Sequence, residues 1–117
     1  MMITNNRDAA GIYIHIPFCM RKCRYCDFLS FEDHSSCDEY IEALIGEIED
    51  RGGRYVDTVF IGGGTPSAIA PEHIADIMEA VYDNFEIDEA AEITIEVNPG
   101  TLTSEKLAMY RGAGINR

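Results

Sequence analysis

The chain has 117 residues, room for one small domain and too few for two. It is 46% hydrophobic with only four prolines, which excludes a disordered chain. Nine Lys and Arg against 21 Asp and Glu leave a formal net charge of -12, a solvated surface that repels phosphate backbones and argues against nucleic acid as a partner.

In chain order, the opening MMITNNRDAAG is polar and lacks the apolar core of a secretory signal. The longest apolar stretch, Gly11 to Met20, is broken by His15 and Pro17 and falls far short of the roughly 20 residues that span a bilayer. The expectation is a cytoplasmic protein with no transmembrane segment. Within that stretch Gly11-Ile-Tyr-Ile-His-Ile-Pro-Phe is β-branched and aromatic and reads as a strand ended by Pro17. A loop over about 17–36 carries Cys19, Cys23 and Cys26. Ser36-Cys-Asp-Glu39 has the form of a helix capping box. Tyr40, Ile41, Leu44, Ile45 and Ile48 then recur at helical spacing, and Gly52 and Gly53 close the helix.

The pattern repeats. Val56 to Ile61 is a short apolar strand, followed by Gly62-Gly63-Gly64-Thr65-Pro66. Pro71 marks a helix start, and Ile74, Ile77, Met78, Val81 and Phe85 form its buried face. A third strand is expected from about Glu92 to Val97, ended by Asn98-Pro99-Gly100, and a third helix over Ser104 to Arg111 with Gly112 or Gly114 at its end. Ile115-Asn116-Arg117 looks like the opening of a fourth strand. Strands alternating with helices at this spacing imply right-handed crossovers and a parallel sheet. The expected fold is α/β: the first three βα units of a larger barrel, truncated at the start of strand four. A complete small α/β domain is the alternative.

Three cysteines within eight residues point to metal rather than to a disulfide framework. Cys19-x3-Cys23-x2-Cys26 can grip three corners of an iron–sulfur cubane and leave the fourth iron open. Spacing alone leaves two other readings: zinc with His15 or His34 as fourth ligand, and a redox pair of Cys23 and Cys26. Cys37 stands apart at a helix start. The glycine turn lacks the ending of a phosphate-binding loop, and by itself is as well a tight turn as a ligand cradle. On the third strand, alternation puts Ile93, Ile95 and Val97 under the helices and turns Thr94 and Glu96 to the barrel interior. A carboxylate there is costly unless it binds something, so a ligand role is favoured over a solvated Glu at an open edge.

Taken together, these features resemble the radical S-adenosylmethionine (SAM) superfamily, whose signature is C-x3-C-x2-C after the first barrel strand. Tyr13-Ile-His15-Ile-Pro17-Phe-Cys19, Lys22-Cys23-Arg-Tyr25-Cys26-Asp27-Phe28, Phe60-Ile-Gly-Gly-Gly-Thr-Pro66-Ser and Glu96-Val-Asn-Pro99-Gly look like its coproporphyrinogen oxidase-like branch. The resemblance covers nearly the whole chain. It implies a partial (β/α)6 barrel, with residues 1–117 the N-terminal part of the core domain. It implies a 4Fe-4S cluster on Cys19, Cys23 and Cys26 whose open iron chelates SAM, and one-electron cleavage of SAM to methionine and a 5′-deoxyadenosyl radical. By motif position Tyr13 and Tyr25 would contact SAM, Gly63, Gly64 and Thr65 would hold its methionine end, and Glu96 would bind the ribose. His15 takes no direct role and is expected to pack under the cluster loop. The implied partners are SAM, haem or a porphyrin, and a one-electron reductant such as flavodoxin or ferredoxin. Oxygen-independent coproporphyrinogen III oxidases carry a cysteine two residues after the third ligand, where this chain has Phe28. That departure, with the short lead before Tyr13, fits the HemW-type haem chaperones. The fragment by itself is expected to bind SAM poorly and to be inactive.

Overall fold

The computed structural model describes residues 1–6, 9–18 and 37–117. Its elements are β1 (Met2–Asn6), β2 (Ala9–Ile16), α1 (Cys37–Asp50), β3 (Tyr55–Gly63), a 3-10 turn (Pro66–Ala68), α2 (Pro71–Asn84), β4 (Glu86–Ile95) and α3 (Ser104–Gly112). The strands form one sheet in the order β1-β2-β3-β4. The expected parallel βαβ order holds for β2, β3 and β4.

The N-terminus departs from expectation. Met2 to Asn6 form a strand antiparallel to β2, with Met2 opposite Tyr13 and Asn6 opposite Ala9, so the sheet is mixed rather than all parallel. MITNN carries no alternating apolar pattern; its extended state comes from pairing with a neighbour. The third strand is also longer and earlier than expected. It starts at Glu86, and its register jumps against β3 between Val56 and Thr58, where Ile87 gives way to Glu92. Asp88 holds that irregularity, accepting from the Ala90 N–H at 2.7 Å and from the Tyr55 hydroxyl. The strand ends at Ile95, so Val97 lies beyond it and is exposed rather than covered by helices.

Alternation sorts the rest of the sheet. Ile12, Ile14 and Ile16 of β2, Val59 and Ile61 of β3, and Ile93 and Ile95 of β4 are buried in one core with Ile41, Leu44 and Ile48 of α1. The expected face of α2 is there too, with Ile74, Ile77, Met78, Val81 and the following Phe85 all buried. Pro71 begins α2, as its fixed φ and missing N–H allow. Thr103 caps α3 by accepting from the Lys106 N–H at 3.1 Å. Gly114, at φ +99, turns the chain back toward the sheet. There Arg117 donates to the Ile93 carbonyl and accepts from the Ile95 N–H, both at 3.1 Å, the bonding of a parallel neighbour beside Thr94. No described helix is long and apolar enough to cross a membrane.

Candidate functional site

On the sheet face away from that core, the C-terminal ends of β2, β3 and β4 bring the described candidates together. Tyr13 stands opposite Phe60 and His15 opposite Gly62. The rings of Tyr13 and Phe60 stack with centroids 5.8 Å apart. Gly62 makes room for what surrounds it: a Cβ there would meet a Glu96 carboxylate oxygen and stand 3.2 Å from the Tyr13 hydroxyl. Glu96, the first residue past β4, is fixed by its own N–H donating to the Ile61 carbonyl at 2.9 Å. Its carboxylate accepts from the Gly63 N–H at 3.2 Å. Glu96 is exposed among the described residues, so the desolvation cost expected of an interior carboxylate is not incurred here. Burial first, and the Glu96 carboxylate second, push the Tyr13 phenol above its ordinary pKa.

The glycine turn is also welded to the residues that lead into the cysteine loop. Gly63 has φ +117, and the turn it makes sends the Gly64 N–H to the Ile16 carbonyl at 2.8 Å and the Thr65 N–H to the Phe18 carbonyl at 2.7 Å. The Tyr40 hydroxyl of α1 donates to the His15 carbonyl at 2.5 Å, and its ring meets buried Phe18 edge-on at 5.5 Å. The Nδ1 of His15 lies 3.3 Å from the Tyr13 hydroxyl, and the ring borders Gly63. The backbone immediately before Cys19 is therefore held from both sides. Cys19, Cys23, Tyr25, Cys26, Phe28, His34 and Ser36 lie outside the described residues. Among the described residues no His, Cys, Asp or Glu cluster could hold a metal ion.

These bonds decide what the site can take. The N–H groups of Gly63, Gly64 and Thr65 are spent on Glu96, Ile16 and Phe18. Contact from this turn would come through carbonyl oxygens, and Glu96 adds a carboxylate. An acceptor-rich ledge suits a ligand with ammonium and hydroxyl donors and does not suit a phosphate. SAM offers an amino group and a ribose diol, so the described residues fit it. Three thiols on one short loop are likewise a donor set that fits a 4Fe-4S cluster.

The sequence reasoning missed a second layer. Ser67, fully buried, accepts from the Asn98 N–H at 3.0 Å and bonds to the Thr101 hydroxyl. The Lys106 ammonium donates to the Ser67 carbonyl at 2.6 Å and to the Thr101 carbonyl at 2.8 Å. A serine directly after Gly-Gly-Gly-Thr-Pro was the only sequence signal; Thr101 and Lys106 carried none.

Comparison with known proteins agrees with this geometry. Residues 13–117 match the family model described as "Radical SAM superfamily". The chain is 38% identical to "Heme chaperone HemW" of Escherichia coli (strain K12), covering 92% of this chain and 30% of that protein. It is 39% identical to the protein of the same name from Bacillus subtilis (strain 168), covering 90% and 29%. Among solved structures, "Coproporphyrinogen III oxidase (HemN) from Escherichia coli is a Radical SAM enzyme" superposes with a TM-score of 0.81 at 34% identity, covering 92% of this chain and 26% of that one. The chain thus spans about 30% of the length of the curated relatives it matches. With a cysteine-bearing segment joining β2 to α1, an acceptor-lined ledge at the strand ends, and a family match that runs from Tyr13 to Arg117, the chain belongs to the radical SAM superfamily.

Proposed function

We propose that residues 1–117 form the N-terminal part of a radical SAM core domain in a cytoplasmic haem chaperone. Cys19, Cys23 and Cys26 hold a 4Fe-4S cluster, and SAM lies across the ends of β2, β3 and β4. Glu96 accepts from the ribose hydroxyls, Gly63, Gly64 and Thr65 border the methionine end, and Tyr13 and Tyr25 contact the ligand beside the cluster. When bound and reduced by a flavodoxin- or ferredoxin-type donor, the cluster supplies one electron to the SAM sulfonium. The single observation that carries the reading is the Glu96 carboxylate bonded to the Gly63 N–H beside Tyr13, because it joins three separate strand ends into one ledge.

That contact makes a specific expectation. Glu96→Gln keeps an acceptor for Gly63 but removes the charge and places an amide beside the diol. SAM binding should weaken about tenfold, near 1.4 kcal/mol, with little change in melting temperature because Glu96 is exposed. An unchanged affinity in calorimetry would remove Glu96 from the ligand site.

Haem chaperone is preferred over coproporphyrinogen III oxidase because Phe28 occupies the position where the oxidases carry a cysteine, and because the relatives above bear the chaperone name. The similarity in fold to the solved oxidase supports the second reading. Anaerobic incubation of the reconstituted full-length protein with coproporphyrinogen III, SAM and reductant separates them. Tight haem binding without turnover is the expected outcome, and formation of protoporphyrinogen would overturn the chaperone assignment.

A further inference from the structure

Lys106 lies in the first turn of α3, and its partners are unusual for this chain. With 21 acidic residues available, a lysine would ordinarily meet a carboxylate. Among the described residues, however, none of the ion pairs involves Lys106. Its ammonium is spent on two carbonyls from two different turns. Ser67 belongs to the 3-10 turn that follows the glycines, and Thr101 to the turn that follows β4.

Hydroxyl bookkeeping shows how tightly those turns are joined. The Thr101 hydroxyl donates its one proton to the Asn98 carbonyl at 2.8 Å. In the contact between Ser67 and Thr101, Ser67 must then be the donor. Ser67 Oγ in turn accepts from the Asn98 N–H at 3.0 Å. Both hydroxyls are used in both directions, and Lys106 closes the joint through the backbone of each turn. Thr65 stands two residues before Ser67, and Glu96 stands two residues before Asn98. The joint therefore sits directly behind both halves of the ledge.

We propose that Lys106 is a positioning residue, which sets the separation between the glycine turn and Glu96 and thereby the affinity for a nucleoside ligand that spans them. The inference rests on the SAM reading of the site given above. A spanning ligand gains from two contacts held at a fixed separation, whereas each half of the ligand needs only its own. Loosening the joint should therefore penalise the whole ligand and spare the parts.

The test measures binding of SAM, methionine and 5′-deoxyadenosine to the anaerobically reconstituted full-length protein by calorimetry. Lys106→Met should weaken SAM about tenfold while methionine and 5′-deoxyadenosine stay within about twofold of the parent. Lys106→Arg, whose fork of donors can serve both carbonyls, should restore SAM binding. Thr103→Ala removes the cap on the Lys106 backbone N–H but leaves the ammonium and both of its carbonyl partners in place; it should lower the melting temperature and keep SAM affinity within about twofold. If Lys106→Met does not fold, Ser67→Ala keeps the carbonyl that Lys106 holds but removes the hydroxyl bonds to Thr101 and Asn98; it loosens the same joint and should show the same split. Unchanged SAM affinity, or equal loss of SAM and both halves, would overturn the positioning role. Absence of SAM binding by the parent protein would overturn the reading of the site and the inference with it.

Discussion

Serine in place of any one of Cys19, Cys23 or Cys26 will leave the anaerobically reconstituted protein without its visible iron–sulfur absorption and without bound iron. A thiolate ligates iron where a serine hydroxyl, far harder to deprotonate, does not. With two thiolates left, no short loop can hold a cubane that already lacks a fourth protein ligand. Cys37 is the control. It is the described cysteine, 5% exposed at the start of α1, and burial first and Asp38 second push its thiol above the ordinary pKa. A buried thiol held in its protonated form is a poor ligand, so Cys37→Ser should keep the cluster and lose only some stability. Zinc in the parent protein with no colour after reconstitution would sink the cluster assignment. Loss of the cluster in Cys37→Ser would show that a fourth thiol takes part.

Gly63→Ala is expected to be strongly damaging. Gly63 sits at φ +117, a conformation that side chains rarely tolerate, and an added Cβ would stand 2.7 Å from the Ile16 carbonyl oxygen and 2.9 Å from the Ile16 nitrogen. These neighbours are backbone atoms and cannot step aside. The Ile16 carbonyl is also the acceptor for Gly64, so the clash pulls on the strand that runs into Cys19. A loss of roughly 2–4 kcal/mol is expected from strain and displacement together. At roughly 3–6 °C per kcal/mol for a domain of this size, the melting temperature should fall by roughly 6–24 °C. SAM affinity should fall as well, because the strained turn carries the residue-63 N–H away from the Glu96 carboxylate. Gly46 gives the opposite result. It is exposed in the middle of α1 with nothing within 4 Å of an added Cβ, so Gly46→Ala should stabilise by roughly 0.5–1 kcal/mol. Equal melting temperatures for the two variants would mean that the glycine turn relaxes freely.

Much of the fold was legible because its signals are local. The α2 face could be read from spacing, since every turn of that helix repeats the same requirement for an apolar residue toward the sheet. Pro71 acts within one helical turn of where it stands, and it marks the boundary the structure shows. Alternation on the third strand correctly placed Ile93 and Ile95 in the core and Glu96 on the other face. The same rule failed at Val97, because the strand ends two residues before it and alternation says nothing beyond a strand's end. β1 was missed for a different reason. MITNN has no pattern of its own, and its strand character depends on an antiparallel partner that the sequence does not announce. The early start of β4 went unseen likewise, because its acidic opening is held by Tyr55 across the sheet.

By itself, then, the sequence determined the βα order, the core faces of the helices and the family, since these rest on residue spacing and on motifs that can be read along one dimension. Which groups remain to meet a ligand was decided only in three dimensions. The glycine turn read equally as a tight turn or a ligand cradle; in the structure the N–H groups of Gly63, Gly64 and Thr65 are all committed, to Glu96, Ile16 and Phe18. The joint behind them, from Ser67 to Lys106, spans 39 residues of chain. Hydrogen bonds of that separation leave no periodic trace, because each partner satisfies its own valence with whatever the fold brings near.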